Sequence, residues 1–185
     1  ENGEAIAGWI NQLTDSVEIR SSLIGEDWSE ISQISQPGGS KTNLVIRINA
    51  VGKAIAAWIE NETSNVYATY TTGGFGTSWT TPVIISNGGS NTNIDLSINS
   101  NGDALAVWVE NFSISIYSAN LISGEWGSPA PICTDSSYFP VCKSVGDDFF
   151  ATWLNLNSGM IEARRFAQEA WDPIATLSNN YPNEY

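Results

Sequence analysis

Two series of tryptophans recur four times along the chain: Trp9, Trp58, Trp108 and Trp153, then Trp28, Trp79, Trp126 and Trp171. Together they use all eight tryptophans, at spacings of 45 to 51 residues. A period of that length belongs to stacked or radial repeats, whose units each bury an apolar face against a neighbour. The regularity gives every Trp a structural role and takes it off the list of candidate site residues.

Each unit opens on a glycine turn: Asn2-Gly3, Val51-Gly52, Asn101-Gly102 and Val145-Gly146. A Gly-x-Ala-x-Ala-x-Trp segment follows, as Ala5/Ala7/Trp9, Ala54/Ala56/Trp58 and Ala104/Ala106/Trp108. The fourth copy reads Phe149/Ala151/Trp153, with one extra residue after its glycine that a β-bulge would absorb. A β-branched residue always stands eight positions after the first Trp (Val17, Val66, Ile116, Ile161). Ser35, Ser86, Cys133 or Ser178 stands seven after the second. Fixed offsets mark secondary structure, and the variable stretches between them mark loops. Within a unit the period is two. In Lys53–Glu60, Ala54, Ala56 and Trp58 point one way and Ile55, Ala57 and Ile59 the other, so the strand is apolar on both faces and must lie between two sheets. Met160–Trp171 has a local helical reading, but Ile161 and Ala163 fall where Val66 and Ala68 fall, which predicts a strand.

The inner strands are predicted at Leu44–Asn49, Ile94–Asn99 and Tyr138–Lys143. With the Trp strand, the strand around Val66 or Ile116, and a short strand after the second Trp, each full unit holds four strands. Four short strands per unit, joined by Gly/Ser/Asn/Pro turns, resemble a β-propeller blade. The Gly-x-Ala-x-Ala-x-Trp strand followed by Trp-x-x-Pro looks like the degenerate blades of bacterial secreted propellers. The resemblance covers the whole chain and implies an all-β propeller of four four-stranded blade-like repeats, at about 1–36, 37–87, 88–134 and 135–185. It does not imply a function, because propellers host lectins, hydrolases and scaffolds alike. The first unit lacks its inner strand, and only Asn183, Glu184 and Tyr185 remain at the other end to supply it. Three arrangements follow: a four-bladed ring that closes imperfectly, two chains pairing as a homodimer or larger ring, or a portion of a longer propeller. An open ring exposes edges that invite pairing.

A chain of 185 residues can bury a sizeable single core. It has no apolar run near 18 residues, so no membrane insertion is expected. Without an initiator Met or signal peptide, a mature, processed or excised chain is expected. Seven basic residues against 20 acidic ones give a net charge of −13, which disfavours nucleic acid and anionic membranes as partners. The abundance of Asn, Ser and Thr resembles extracellular bacterial β proteins and implies an extracellular or cell-surface location. Cys133 and Cys142 flank the shortest connector between units, where a disulfide is expected in an exported protein; two small buried hydrophobes are the alternative. Two cysteines without histidine make a poor metal site.

The chain has no histidine, which removes Ser-His-Asp and Cys-His chemistry and His-ligated metals. Asn11, Glu60, Glu110 and Asn155 each stand two residues past a first Trp, on the same face, where they would ring one mouth of the structure. They either cap adjacent loops or make repeated contacts to a sugar or a calcium ion; no other cofactor is expected. Glu60 and Glu110 have the residue type of a glycosidase pair, although repeat equivalence accounts for both. Two inner-strand charges break the apolar pattern: Arg47 aligns with Ser97 and Val141, and Asp95 with Val45 and Phe139. A charge there must be paired, hydrated or in contact with a ligand in a central tunnel. The architecture is similar to that of sialidases, but their Ser-x-Asp-x-Gly-x-x-Trp box is absent; Gly73–Trp79 keeps the Gly and Trp and lacks the Asp. Sugar binding needs rings beside polar groups, and the aromatics the repeat does not require are Phe75, Phe112, Tyr70, Tyr181 and Tyr185. Asn61-Glu62-Thr63 and Asn111-Phe112-Ser113 match glycosylation acceptors in loops. The expected function is non-enzymatic binding of a glycan, with a protein-interaction scaffold as the alternative and a hydrolase third.

Overall fold

The computed structural model describes residues 3–74 and 78–178. It is all β among the described residues, in four antiparallel sheets. Sheet I holds β1 (Ala5–Asn11), β2 (Ser16–Ser22) and β3 (Ser32–Gln33). Sheet II holds β4 (Lys41–Ile48), β5 (Ala54–Glu60), β6 (Asn65–Tyr70) and β7 (Val83–Ile84). In sheet III, β8 (Asn91–Ile98), β9 (Ala104–Glu110) and β10 (Ser115–Ile122) follow in order, and β11 (Glu125–Trp126) and β12 (Ala130–Cys133) both pair with β10. Sheet IV repeats this with β13 (Ser137–Val145), β14 (Asp148–Asn155) and β15 (Met160–Ala167), which carries β16 (Ala170–Trp171) and β17 (Ala175–Thr176). Among the described residues sheet I has no inner strand, and Asn183, Glu184 and Tyr185, the candidates to supply one, lie outside them; Met160–Ala167 is a strand.

The sheets stack because each has two different apolar faces. Ile55, Ala57 and Ile59 of sheet II meet Ala104, Ala106 and Trp108 of sheet III. Val17 and Ile19 of sheet I meet Ala56 and Trp58, and Leu105, Val107 and Val109 meet Ala151 and Trp153. The small alanines leave room for branched side chains from the preceding sheet, which gives the close packing of an interior. Consequently β5 and β9 are buried from Ala54 to Ile59 and from Ala104 to Val109. Ala56 is fully buried in this contact, so Ala56→Leu is expected to overpack it and cost about 1–3 kcal/mol, read as a lowered urea midpoint at unchanged slope.

Two details of the fourth unit differ from expectation. No bulge follows its glycine. The β13–β14 hairpin closes directly over Gly146 and Asp147, with Val145 paired to Asp148, whereas the β4–β5 pairing ends at Ile48 and Ala54. The extra residue is taken up by the tighter turn, and both strands run further toward it. The irregularity lies instead in every inner strand, between Thr42 and Val45, Thr92 and Asp95, and Tyr138 and Val141. Asn43, Asn93 and Phe139 sit there at φ of 52°, 52° and 55°, a left-handed conformation that Asn tolerates better than Phe. Pairing with the Trp strand therefore sets Asp95 level with Val45 and Val141, and Arg47 level with Ser97 and Lys143. The fourth copy shifts by two from the alignment counted off its glycine.

The expected disulfide is not formed: Cys133 and Cys142 are free and buried. Cys133 lies on the outer strand of sheet III and Cys142 on the inner strand of sheet IV, at different radial positions. Cys133 Sγ sits 3.3 Å from Ser137 Oγ, and the Cys142 thiol donates to the Leu105 carbonyl at 3.5 Å. Burial, with the Asp95 charge, pushes the Cys142 thiol well above its ordinary pKa. Both act as small apolar residues of the III/IV core.

The described sheets stack in chain order. Among the described residues, extensive strand contacts join sheet I to II, II to III and III to IV, and no comparably extensive contact joins IV to I. Ala5 and Ala7 of sheet I are exposed, and so is Trp28 at 44%. At the other end, Val141, Phe150 and Ile161 of sheet IV are exposed. Sheets II and III are covered on both faces.

Candidate functional site

The clefts that most resemble a binding site lie where the Trp strands of sheets II and III end against the preceding sheet. Register dictates their content. Trp58 pairs with Tyr67 and Trp108 with Tyr117 across neighbouring strands, and their rings stack with centroids 6.2 and 6.3 Å apart. Two residues beyond each Trp the side chain returns to the same face, bringing in Glu60 and Glu110. The I/II cleft, about 160 Å³, is lined by Ser35, Gln36, Lys41, Trp58, Glu60, Tyr67, Thr81 and Pro82. The II/III cleft, about 250 Å³, is lined by Asn87, Gly88, Gly89, Asn91, Trp108, Glu110, Phe112 and Tyr117. The two share a repeated frame: Gln36, Lys41, Trp58, Glu60 and Tyr67 correspond to Asn87, Asn91, Trp108, Glu110 and Tyr117.

Lys41 and its counterpart Asn91 hold the hairpin of the preceding sheet. Lys41 Nζ donates to the Asp15 and Gly39 carbonyls at 2.7 and 2.8 Å. Asn91 Nδ2 donates to Ser64 and Gly88 carbonyls at 2.6 and 3.0 Å. Each cleft nevertheless keeps one buried polar atom with no partner. In the I/II cleft it is the donor Trp58 Nε1, and in the II/III cleft the acceptor Asn91 Oδ1. A buried group left unpaired costs about 1–3 kcal/mol, and such orphans are rare. An incoming hydroxyl could satisfy either one, because it donates and accepts.

The carboxylates differ in how firmly they are held. Burial pushes the Glu110 carboxyl upward, but hydrogen bonds from the Ser113 hydroxyl and amide, the Phe112 amide and the Ser90 amide outweigh it and leave its pKa below the ordinary value. The Ser113 hydroxyl contact is 2.6 Å. Glu60 accepts a long 3.3 Å bond from Thr63 Oγ1 and a hydrogen bond from the Tyr67 phenol. Burial first, and the Glu60 charge second, raise the pKa of the Tyr67 phenol, so Tyr67 remains a neutral donor beside an acceptor.

Sheets I and IV use the same positions differently. Trp9 Nε1 donates to Glu18 at 3.0 Å and Asn11 Nδ2 donates to the other oxygen at 2.8 Å. Trp153 Nε1 and Asn155 Nδ2 hold Glu162 in the same way, at 2.9 and 3.0 Å. Asn11 and Asn155 therefore clamp an internal carboxylate, and their own carbonyl oxygens cap turn amides of Leu13 and Asn157 at 3.0 Å. The four positions past the first Trp split into two pairs with different roles.

The other candidates fall elsewhere. Phe112 stands at the lip of the II/III cleft, 83% exposed. Arg47 and Asp95 form a 2.6 Å ion pair between inner strands. Asp95 also accepts the Cys142 amide at 2.9 Å, so this group ties sheets II, III and IV together. The Tyr70 phenol donates to the Gly124 carbonyl at 2.6 Å, away from the clefts. It borders a cavity of about 380 Å³ where Lys53 Nζ also finds a carbonyl, and a groove of about 480 Å³ edged by Trp126. Trp126 Nε1 is buried and unpaired as well, but Glu125, the carboxylate beside it, is not part of the repeated Trp, Tyr and Glu frame. Phe75, Tyr181 and Tyr185 lie outside the described residues. No group of three or more His, Cys, Asp or Glu side chains is placed to hold a metal among the described residues.

Sequence reasoning set the tryptophans aside as purely structural, yet Trp58 and Trp108 line the clefts, and it overlooked Tyr67, Tyr117, Lys41 and Asn91. A signal was present. Tyr stands nine residues after the first Trp only where Glu stands two after it, and Glu stands there only where Asn does.

Open-edged, four-stranded antiparallel sheets stacked face to face by a Trp-bearing strand are β-propeller blades, and the chain has the β-propeller fold. No protein-family profile and no curated protein matches the sequence. Solved structures do match over nearly its whole length. An exo-β-1,3-galactanase from Clostridium thermocellum is 11% identical, with 97% of this chain and 47% of that one covered at a TM-score of 0.54. A GH43 β-1,3-galactosidase is 12% identical, with 97% and 44% covered at 0.57. The Aleuria aurantia lectin, in complex with Fucα1-6GlcNAc, is 14% identical, with 98% and 64% covered at 0.54. The chain thus spans about half to two thirds of the length of these structures, and at such identities the likeness is one of fold.

Proposed function

We propose that the chain is a non-enzymatic glycan-binding module of an extracellular or cell-surface protein, with ligand sites in the I/II and II/III clefts. The observation that carries this reading is the repeated frame of Trp, Tyr and Glu around a buried, unpaired hydrogen-bonding atom. Sugars lay apolar faces on rings and engage polar groups through hydroxyls, and each cleft offers both kinds of surface. The lectin among the structural neighbours is seen with a fucosylated disaccharide, which is consistent with glycan binding on this architecture. The galactanase and the galactosidase among the neighbours keep a hydrolase in view. Against that option, Glu60 and Glu110 line separate clefts, whereas glycosidic cleavage needs two carboxyl groups flanking one bond.

The test is calorimetric titration with a neutral oligosaccharide selected on an array. Glu60→Ala removes a charged acceptor worth about 1.5–3 kcal/mol and is expected to weaken binding at the I/II cleft about 10- to 100-fold, with little change in stability. Unchanged affinity at both clefts overturns the site assignment, and turnover lost on Glu60→Gln would restore the hydrolase. The exposed end faces favour a second reading, a protein-interaction scaffold whose partner is another copy of the chain. A solution mass near twice 20 kDa, with no sugar response, would support it.

A further inference from the structure

We infer that Glu162 is a built-in occupant of the third inter-sheet cleft, and that the two open clefts take an uncharged, hydroxyl-rich ligand whose oxygen stands where the Glu162 carboxylate stands. This rests on the glycan-binding reading and names its ligand class and the number of sites.

The chain supplies its own comparison. The III/IV junction repeats the frame of the other two: Ser137 takes the place of Lys41 and Asn91, and Trp153 that of Trp58 and Trp108. Ser137 is fully buried, and its amide binds the Ile114 carbonyl of the preceding hairpin at 3.0 Å. What differs is the acceptor. Glu162 Oε2 accepts from Trp153 Nε1 and Oε1 from Asn155 Nδ2, so the indole N–H that is orphaned at Trp58 is satisfied here from within the chain. The position of Glu162 is that of Tyr67 and Tyr117, which pair with the equivalent Trp residues. With Tyr67 there, the Trp58 indole is left unsatisfied while the phenol turns to Glu60, and the accompanying change of Asn to Glu at position 60 or 110 replaces a donor with an acceptor. The closed junction is thus two donors around a bound carboxylate. The I/II cleft presents one free indole donor beside one carboxylate.

That difference sets ligand chemistry. A carboxylate ligand could accept from the Trp58 indole but has nothing to donate to Glu60, and it would carry like charge toward it. A hydroxyl accepts from the indole and donates to Glu60 at once. The net charge of −13 adds to the bias against anionic sugars. Sheet I carries the same Trp9–Glu18–Asn11 arrangement on its exposed face, so the clamp forms within one hairpin and needs no adjoining sheet to assemble.

The experiment is a titration of the full chain and its variants with methyl β-D-galactoside, methyl α-L-fucoside and D-galacturonate, read as stoichiometry by calorimetry, together with the indole N–H signal of Trp153 by NMR. Wild type is expected to bind a neutral glycoside at two sites and galacturonate at least tenfold more weakly. Glu162→Ala is expected to raise the stoichiometry to three and to lose the slow hydrogen exchange of the Trp153 indole. Glu162→Gln, which keeps an acceptor, should leave both as in wild type. If Glu162→Ala is poorly folded, the pair Glu162→Tyr with Asn155→Glu transplants the open-cleft set and should also yield a third site. Two sites retained in a folded Glu162→Ala protein with a freed indole, or galacturonate binding as well as the neutral glycosides, overturns this inference while leaving glycan binding intact. No binding of any neutral sugar by a folded wild type overturns the glycan-binding reading itself, and this inference with it.

Discussion

Trp108→Ala is expected to cost about 3–5 kcal/mol of stability, while Trp28→Ala, at the other recurring Trp position, costs about 1 kcal/mol or less. Trp108 is 1% exposed between sheets II and III, against Ile55, Ala57 and Ile59 and stacked on Tyr117. Deleting its ring forfeits the transfer of a large side chain and leaves a cavity that two rigid sheets cannot collapse to fill. Trp28 belongs to the series whose members Trp79, Trp126 and Trp171 all pack into cores between sheets. On sheet I that face has no sheet against it among the described residues, and Trp28 is 44% exposed. Urea midpoints at a common slope measure both changes. Similar large losses would mean that the face of sheet I is covered in solution, by another copy of the chain.

Asp95→Ala is expected to cost about 1–3 kcal/mol, because it leaves the Cys142 amide without its acceptor and Arg47 without its counter-charge. The greater part is assigned to the amide. Arg47 is 46% exposed at its side chain and retains water, so the ion pair itself contributes little. Asp95→Asn keeps an acceptor for the amide and should recover most of the loss. The same comparison at Arg47→Ala is predicted to be mild. If Asp95→Ala is silent, the inner strands are held by Ser97, which accepts the Ser144 amide at 2.7 Å, and by Asn49, which donates to the Asn99 carbonyl at 2.8 Å.

The architecture was legible because its cause is local and repeated. The alternation Ala54/Ala56/Trp58 against Ile55/Ala57/Ile59 states both the strand and its burial, and it recurs with fixed offsets. The ends of the stack were only half legible. The missing inner strand of sheet I follows from counting, but which faces remain bare depends on packing between units. The clefts were legible in part. Glu60 and Glu110 were marked by position, while the difference between them and Asn11 or Asn155 lay in a partner on the next strand, Tyr67 or Glu18. Of the contacts between sheets, the Arg47–Asp95 pair was foreshadowed by two inner-strand charges that had to be satisfied, and the rest were not legible. Asp95 with the Cys142 amide, and Tyr70 with Gly124, join residues 47 and 54 apart, and no local pattern encodes them. The cysteines misled because sequence proximity across a connector says nothing of radial position, which places Cys133 on an outer strand and Cys142 on an inner one.

The account stands most directly on whether the clefts hold sugar. A glycan-array screen of the purified chain, on a sample shown to unfold cooperatively, is predicted to give binding to neutral, hydroxyl-rich glycans that free sugar competes away and that Glu60→Ala weakens. A blank array from that folded sample would contradict it.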